Sequence, residues 1–192
     1  ITSDSPRKEP PFPSDQPGLA TGDFNDDGFG DIAVGARFAD PPIGAEAGMG
    51  YVIFGSESPA ATVDFAAGEE DVRILGPAAG ASLGFAAGAG AWNGDGIDDL
   101  AFGAPFTTAG GLQVGTVHVF FGPLAAGEHD LAAAPADVTL TGLAPTGFFG
   151  DSLATGDFNG DDTDDLLVGS TFSAEGTRPT GGAVFGFFGG RD

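Results

Sequence analysis

One phrase occurs three times in this chain, and each copy joins a cluster of carboxylates to an apolar strand. It reads DFNDDGFGDIAVG at residues 23–35, AWNGDGIDDLAFG at residues 91–103 and DFNGDDTDDLLVG at residues 157–169. A second pattern, apolar alternation that ends in Phe-Gly, places its last glycines 67 residues apart, at Gly55, Gly122 and Gly189. Repeats of this length fix the architecture before local structure is considered. The chain is therefore predicted to consist of three copies of one unit.

The second copy is complete, and it predicts four short strands. They lie at about residues 82–90, 99–104, 115–121 and 137–141. Each is rich in β-branched, aromatic or small apolar residues and is bounded by glycine, proline or aspartate. Four antiparallel strands in a repeat of this size are typical of a propeller blade. We predict an all-β fold, a β-propeller of four-stranded antiparallel blades with about three blades present.

The repeat period divides the chain into a leader and three blades. Residues 1–16 are proline-rich and are expected to be extended or disordered, whereas residues 17–78 and 79–144 are expected to form blades 1 and 2. Residues 145–192 are expected to form a third blade that lacks its outermost strand. Because propellers typically close with four to eight blades, we expect further blades from the same longer protein or from a homo-oligomer.

The carboxylate cluster has the spacing of a cation-binding loop. In the first copy, loop positions 1, 3, 5 and 9 are Asp23, Asn25, Asp27 and Asp31, and position 7 offers the backbone carbonyl of Phe29. Crowded carboxylates repel one another, and a divalent cation converts that repulsion into attraction. Hard oxygen ligands in this number suit Ca²⁺, whereas Mg²⁺ demands stricter octahedral geometry. The pattern predicts a calcium site in a hairpin loop between two strands.

The third copy repeats the full set of ligands, and the second copy lacks the first one. The candidate ligands are Asp157, Asn159, Asp161, the Thr163 carbonyl and Asp165 in the third copy, and Asn93, Asp95, the Ile97 carbonyl and Asp99 in the second. Ala91 occupies the position where the second copy needs an aspartate. We therefore expect two Ca²⁺ sites and a degraded third site at residues 91–99. The alternative is that these acidic turns only cap strands, and two complete copies in matching register argue against it.

The repeated segments resemble the FG-GAP repeat family, the blade unit of integrin alpha-subunit propellers and of many bacterial surface proteins. The residues that carry the resemblance lie at 19–36, 83–105 and 148–170. The Phe-Gly pair is present as Phe149-Gly150, becomes Leu83-Gly84 in the second copy, and is absent from the first. The resemblance implies a calcium ion in a hairpin loop at one end of the blade, and ligand binding by loops on the propeller face. It identifies no ligand-binding residue in this chain.

Composition removes several classes of partner. A formal charge of −22 leaves nothing to neutralise phosphates, so no nucleic-acid partner is expected. The sequence contains no apolar run long enough for a membrane span. No nucleophile–base motif is present, and we expect no enzyme.

His118 lies in a strand where the other copies have Val52 or Phe185, and His129 lies in an acidic loop and is expected to be solvated. Trp92 takes the position of Phe24 and Phe158, which indicates a core residue.

These observations favour a calcium-binding extracellular or cell-surface module for adhesion or for recognition of an unidentified protein or glycan. Two alternatives stay open. One is a carbohydrate-active propeller, either a lectin or a polysaccharide-degrading enzyme. The other is an architectural subunit of a surface layer or fibre. Extracellular placement is expected because calcium loops of extracellular modules bind at about 10⁻⁴–10⁻³ M, a calcium level found outside cells.

Overall fold

The structure, a computed structural model, describes residues 17–173 and 181–190, so the predicted leader at residues 1–16 lies outside it. The first blade contains β1 (Leu19–Gly22), β2 (Asp31–Ala36), β3 (Met49–Ile53) and β4 (Val72–Leu75). The next segment contains β5 (Ala87–Gly90), β6 (Asp99–Ala104), the short hairpin strands β7 (Thr108–Ala109) and β8 (Leu112–Gln113), β9 (Thr116–Phe120), β10 (Gly127–Asp130) and β11 (Val138–Thr141). The last contains β12 (Phe149–Gly156), β13 (Asp165–Ser170) and β14 (Ala183–Phe187).

Each repeat forms one antiparallel sheet. The strand orders are β1-β2-β3-β4 for blade 1, β5-β6-β9-β11 for blade 2 and β12-β13-β14 for blade 3. The all-β prediction is confirmed, and the three blades do not close a ring. No helix within residues 17–173 and 181–190 is long and apolar enough to cross a membrane.

The burial of the second strand in each blade shows how the blades stack. Every residue of β6 is buried, because blade 2 has a neighbouring blade on both faces. In β2 the pattern alternates, with Asp31, Ala33 and Gly35 buried and Ile32 exposed. That alternation is typical of a sheet with one covered and one open face. Blade 1 therefore packs on blade 2 through only one of its faces.

The predicted strand limits are accurate for three strands of the second unit and wrong for the first. The strand predicted at 99–104 is observed at Asp99–Ala104, and β9 and β11 begin within one residue of the predicted starts. The strand predicted at 82–90 is present only as Ala87–Gly90. Ser82 and Gly84 have φ values of 56° and 83°, which interrupt an extended backbone. Leu83 instead forms an isolated bridge with Gly48 of blade 1.

The innermost strands β1, β5 and β12 lie side by side and line an open groove. Glycines in β5 permit this approach. A Cβ atom added to Gly88 would lie 3.3 Å from Thr155 Cγ2 and 3.5 Å from Leu153 Cβ, both in β12. Close approach of another backbone is one of the uses of glycine inside a strand.

Two apolar cores lie between the blades. Phe24 is fully buried between blades 1 and 2, and Trp92 is 7% exposed between blades 2 and 3. The prediction that Trp92 is a core residue is confirmed. Phe158, at the same position in blade 3, is 53% exposed because nothing in the described chain packs on that face of the blade.

The strand β10 leaves its own blade. It belongs to the segment between β9 and β11 of blade 2, yet it pairs in parallel with β4 of blade 1, with Gly127 opposite Val72 and Asp130 opposite Leu75. Blade 1 thereby gains a fifth strand that its neighbour supplies. His129 lies in this strand, 5.8 Å edge-on from the ring of Phe120. The predicted loop is therefore a strand, and within it His129 is half-buried rather than fully solvated.

Candidate metal centre

The three predicted calcium loops connect the first and second strands of their blades. Each loop is closed by a strand pair of the same kind: Gly22 with Asp31, Gly90 with Asp99, and Gly156 with Asp165. Because the three connections are equivalent, the three loops lie at the same end of their blades. The loops are hairpins between antiparallel strands, as the sequence predicts.

The first loop is wound so that its side-chain oxygens point toward its own centre. Oδ1 of Asp23 and Oδ1 of Asn25 both accept the backbone N–H of Asp27, at 3.1 and 3.0 Å. Oδ2 of Asp23 accepts the N–H of Gly28 at 2.8 Å. Gly28, at loop position 6, has a φ of 85°, a left-handed conformation that glycine adopts without steric cost. The oxygens at positions 1 and 3 therefore converge on one point.

The third loop reproduces this arrangement. Oδ1 of Asp157 and Oδ1 of Asn159 accept the N–H of Asp161, at 3.2 and 2.9 Å. Asp162 has a φ of 68°, so an aspartate adopts the conformation that glycine has in the first loop. Amide donors, led by Gly160 at 2.6 Å, hold the pKa of Asp157 below its usual value, which favours the ionised carboxylate.

The second loop keeps part of the arrangement. Oδ1 of Asn93 accepts the N–H of Asp95 at 2.9 Å, but Ala91 offers no side-chain oxygen. In all three loops the N–H of position 7 donates to Oδ1 of position 5. These donors are Phe29 at 2.9 Å, Ile97 at 2.9 Å and Thr163 at 3.0 Å.

The aspartates at loop position 9 have a structural role that the sequence analysis missed. Asp31, Asp99 and Asp165 are at most 1% exposed. Oδ2 of Asp31 accepts the N–H of Phe24 at 2.8 Å, and Oδ1 accepts the N–H of Gly55 at 2.7 Å. Each aspartate therefore ties its loop to the end of the third strand. The 67-residue glycine landmark was the available signal, since these glycines supply the donors.

Burial disfavours the ionised form of these aspartates. Desolvation raises the pKa of Asp31, the amides of Gly55 and Phe24 lower it, and the charges of Asp27 and Asp23 raise it further. The pKa of Asp99 is raised in the same way, with burial as the largest cause. A cation in the loop would oppose both the desolvation and the repulsion.

The donor chemistry of the first and third loops fits Ca²⁺. Within residues 17–173 and 181–190, no three His, Cys, Asp or Glu side chains converge closely enough to hold an ion by themselves. The three aspartates of each complete loop are therefore not gathered into one cluster, and the candidate set adds an asparagine oxygen and a backbone carbonyl to them. A carboxylate oxygen that accepts one amide retains a second lone pair for a cation. Carboxylates, amides and carbonyls together are the ligands that Ca²⁺ takes in proteins.

His118 is a buried strand residue. It is 5% exposed and lies opposite Phe102 in the sheet. The strand registers match it with Tyr51 of blade 1 and Phe185 of blade 3, because these residues lie opposite Val34 and Val168. The predicted match with Val52 is therefore off by one residue. Burial lowers the pKa of His118 to about 4, so its imidazole is neutral at pH 7.

Comparison with known proteins identifies the family to which the repeats belong. Residues 17–53 and 149–187 match the model of the FG-GAP repeat, and these segments contain the two complete loops. The chain is 33% identical over 165 residues to phosphatidylinositol-glycan-specific phospholipase D of Bos taurus and of Homo sapiens, covering 85% of this chain and 19% of those proteins. It is 32% identical over 177 residues to integrin alpha-5 of Xenopus laevis, covering 89% of this chain and 15% of that protein. The chain thus spans less than a fifth of the length of these relatives.

Proposed function

Because the chain carries FG-GAP repeats, we propose that it is a β-propeller module whose blades are braced by Ca²⁺ and whose role is recognition rather than catalysis. The observation that carries the metal assignment is the inward winding of two loops. In each, side-chain oxygens from positions 1 and 3 meet at the amide of position 5. An acidic turn that served only hydration would have no reason to orient its oxygens inward twice in the same register.

The proposed ligands follow from the two complete loops. Asp23, Asn25, Asp27, Asp31 and the carbonyl of Phe29 would hold one ion. The equivalent set for the second ion is Asp157, Asn159, Asp161, Asp165 and the carbonyl of Thr163. The bound cation would supply positive charge to a turn whose carboxylates otherwise repel one another. The second loop lacks an oxygen at Ala91, and we propose that it binds Ca²⁺ weakly or not at all.

The position-9 aspartate would connect the bound ion structurally to the rest of the blade. Asp165 accepts the N–H of Phe158 at 2.8 Å and the N–H of Gly189 at 2.9 Å, so one carboxylate joins the loop to the third strand. An ion that fixes this carboxylate fixes three strands together. Calcium would therefore raise the stability of whole blades and not only the order of one turn.

Recognition is proposed for the module because the FG-GAP resemblance implies ligand binding by loops on the propeller face. The phospholipase D relatives and integrin alpha-5 are matched over only 19% and 15% of their length, so the activities of those whole proteins are not carried over to this chain. We propose an extracellular or cell-surface location and a protein or glycan partner. A glycan array combined with a polysaccharide lyase and hydrolase assay tests the non-enzymatic role, and specific sugar cleavage would contradict it.

The calcium assignment is tested by thermal unfolding with chelator and with excess Ca²⁺. At about 100 times the dissociation constant, one site adds about 2.7 kcal/mol, which corresponds to roughly 5–10 °C for a chain of this size. Asp23→Asn with Asp27→Asn is expected to remove the contribution of the first loop. Asp157→Asn with Asp161→Asn is expected to remove that of the third.

The matched control removes the same charge from outside the ligand set. Asp26→Asn with Glu57→Gln changes two exposed side chains, one of them inside the loop at position 4. This variant is expected to keep the full calcium response. Equal melting of the unsubstituted protein in chelator and in Ca²⁺ would overturn the proposal.

A further inference from the structure

Two blade interfaces are present, and both contain the same hydrogen bond. Oδ2 of Asp98 in blade 2 accepts the backbone N–H of Asp23 in blade 1 at 2.8 Å. Oδ2 of Asp164 in blade 3 accepts the N–H of Ala91 in blade 2 at 3.2 Å. In both cases the acceptor is the aspartate at loop position 8, and the donor is loop position 1 of the preceding blade. This carboxylate lies outside the proposed calcium ligands.

The interfaces also share a close approach of backbones. A Cβ atom added to Gly35 would lie 2.0 Å from the carbonyl oxygen of Gly84, and one added to Gly103 would lie 2.0 Å from that of Gly150. Gly84 of Leu83-Gly84 and Gly150 of Phe149-Gly150 occupy the glycine position of the Phe-Gly pair, and both have positive φ. The Phe-Gly glycine of one blade therefore packs on a glycine in the second strand of the blade before it.

A third shared feature is the ring at loop position 2. The carbonyl of Phe24 accepts the N–H of Leu124 at 2.7 Å, and the carbonyl of Trp92 accepts the N–H of Gly190 at 2.9 Å. Both rings are buried by the following blade, with exposures of 0% and 7%. The following blade thus covers three features of each blade. They are the amide at loop position 1, the glycine in the second strand, and the ring and carbonyl at loop position 2.

In blade 3 the same features lie on a face that no other blade covers within the described part of the chain. Phe158 is 53% exposed, and neither its carbonyl nor the N–H of Asp157 has a hydrogen-bond partner among residues 17–173 and 181–190. Val184, which matches the fully buried Val117 of blade 2, is 69% exposed. Phe188, which follows the same strand, is 68% exposed. The surface that is covered in blades 1 and 2 is open in blade 3, and we call it the open face, formed by Asp157, Phe158, Val184 and Phe188.

The opposite face of blade 1 does not complement the open face. Its loop position 8 is Gly30, so it has no carboxylate to accept the N–H of Asp157, and its repeat has no Phe-Gly pair. Ile32 is 46% exposed on that side, but Tyr51 is covered by its own blade through Phe65, whose ring is stacked at 4.5 Å. Head-to-tail docking of a second copy would therefore leave the amide of Asp157 without its acceptor.

We propose that the open face is the docking surface for a further FG-GAP blade that carries aspartate at loop position 8 and a Phe-Gly glycine. The side chain of that aspartate accepts the N–H of Asp157, and the incoming blade covers the ring of Phe158. This inference is independent of the proposed calcium binding, because neither of the two existing interfaces uses a calcium ligand side chain as its acceptor.

The direct test is an in-register extension of the chain. Repeating residues 123–189 directly after Gly189 preserves the 67-residue period and supplies a blade that carries copies of Gly150 and Asp164. Amide hydrogen exchange, measured by NMR with chelator present, is expected to slow at least tenfold at Asp157. The same extension with the added Asp164 changed to Ala is expected to lose that protection. Unchanged exchange at Asp157 beside a folded added blade would overturn the proposal.

A second test needs no added blade, so misfolding of the extension leaves the proposal falsifiable. Asp98→Ala and Asp164→Ala in the original chain are expected to speed exchange at least tenfold at Asp23 and at Ala91 respectively. Glu57→Ala, which removes an exposed carboxylate that takes part in neither of the two hydrogen bonds, is the control. Unchanged protection in the folded Asp98→Ala and Asp164→Ala variants would refute the shared hydrogen bond. Sedimentation of the unextended chain as a dimer that protects Asp157 would assign the open face to a second copy and overturn the choice of partner.

Discussion

At the scale of single residues, neighbouring aspartates in one loop have separate tasks. Asp164 and Asp165 are adjacent, yet the first accepts an amide of the preceding blade and the second ties its loop to Gly189 of its own blade. Successive side chains at the start of a strand point to opposite sides, which separates the two carboxylates. A high density of acidic residues therefore does not imply that all of them face one ion.

His118 has a defined tautomer. The hydroxyl of Thr107 donates to the carbonyl of Ala104, and the hydroxyl of Thr116 donates to Oγ1 of Thr107, both at 2.9 Å. Oγ1 of Thr116 has thus used its proton, so Nε2 of His118, 3.0 Å away, donates to it. The neutral imidazole therefore donates the hydrogen bond that ends this chain of hydroxyls inside blade 2.

The buried histidine predicts a loss of stability in acid. The folded-state pKa of about 4 lies below the ordinary value of 6.5, so only the unfolded chain takes up this proton between those values. The contribution is intact above pH 6.5 and is lost as the pH falls toward 4, by roughly 2 kcal/mol between pH 7 and pH 5. His118→Phe, which places in blade 2 the residue that blade 3 has at Phe185, is expected to remove this part of the pH dependence. Urea unfolding at pH 7, 6 and 5 compares the two proteins, and parallel stability curves would contradict the prediction.

At the scale of secondary-structure elements, β10 links two repeats, because this strand of one repeat pairs with the sheet of the other. The N–H of Gly127 donates to the carbonyl of Asp71, and the N–H of Leu131 donates to the carbonyl of Leu75. Leu131 and Leu124, on either side of the strand, are 8% exposed and belong to the core between blades 1 and 2. The two leucines anchor the crossing segment at its ends.

This anchoring predicts that truncation of one leucine side chain beside β10 causes a large loss of folding stability, although the surrounding sequence resembles a loop. Leu131→Ala is expected to cost about 2–4 kcal/mol, because it removes a buried side chain and leaves a cavity at the interface. Leu112→Ala, a matched truncation at a side chain that is 52% exposed, is expected to change stability by less than about 0.5 kcal/mol. Denaturant unfolding measures both. A Leu131→Ala cost no larger than the control would show that β10 does not hold the blades together.

The sequence predicts elements well where apolar alternation is regular and poorly where tertiary contacts decide. The strand Asp99–Ala104 is predicted without error because the residues after Asp99 are apolar or glycine and turn residues flank the strand. The segment GEHD of β10 is polar, so its pairing with blade 1 leaves no periodic signal. The interface role of loop position 8 was missed for the same reason, because it depends on tertiary contacts. A signal was present, since loop position 8 is an aspartate in both blades that follow another blade within this chain, Asp98 and Asp164, but its meaning depends on a contact between repeats.

At the scale of the whole molecule, the apolar surface and the charge act in opposite directions. The blades stack through buried rings, while the chain carries a net charge of −22. Nearly half of its acidic residues lie in the three loops at one end of the blades. Self-repulsion of a large net charge destabilises a compact state. Stability is therefore expected to depend on the ions in solution in two ways, through screening by any salt and through binding of Ca²⁺.

The two effects separate in a salt series with chelator present. Raising KCl from about 0.02 to about 0.5 M shortens the Debye length from roughly 20 Å to roughly 4 Å. Screening is expected to raise the melting temperature by about 2–8 °C, the equivalent of about 1–2 kcal/mol for a chain of this size. The variant with Asp23, Asp27, Asp157 and Asp161 all changed to Asn is the control. It is expected to retain most of the KCl response, because a large negative charge remains, and to lose the additional stabilisation by Ca²⁺ at equal ionic strength. A melting temperature that is flat or falling in KCl would show that repulsion does not limit this fold, and a Ca²⁺ effect no larger than that of KCl at the same ionic strength would reduce the metal to a screening ion.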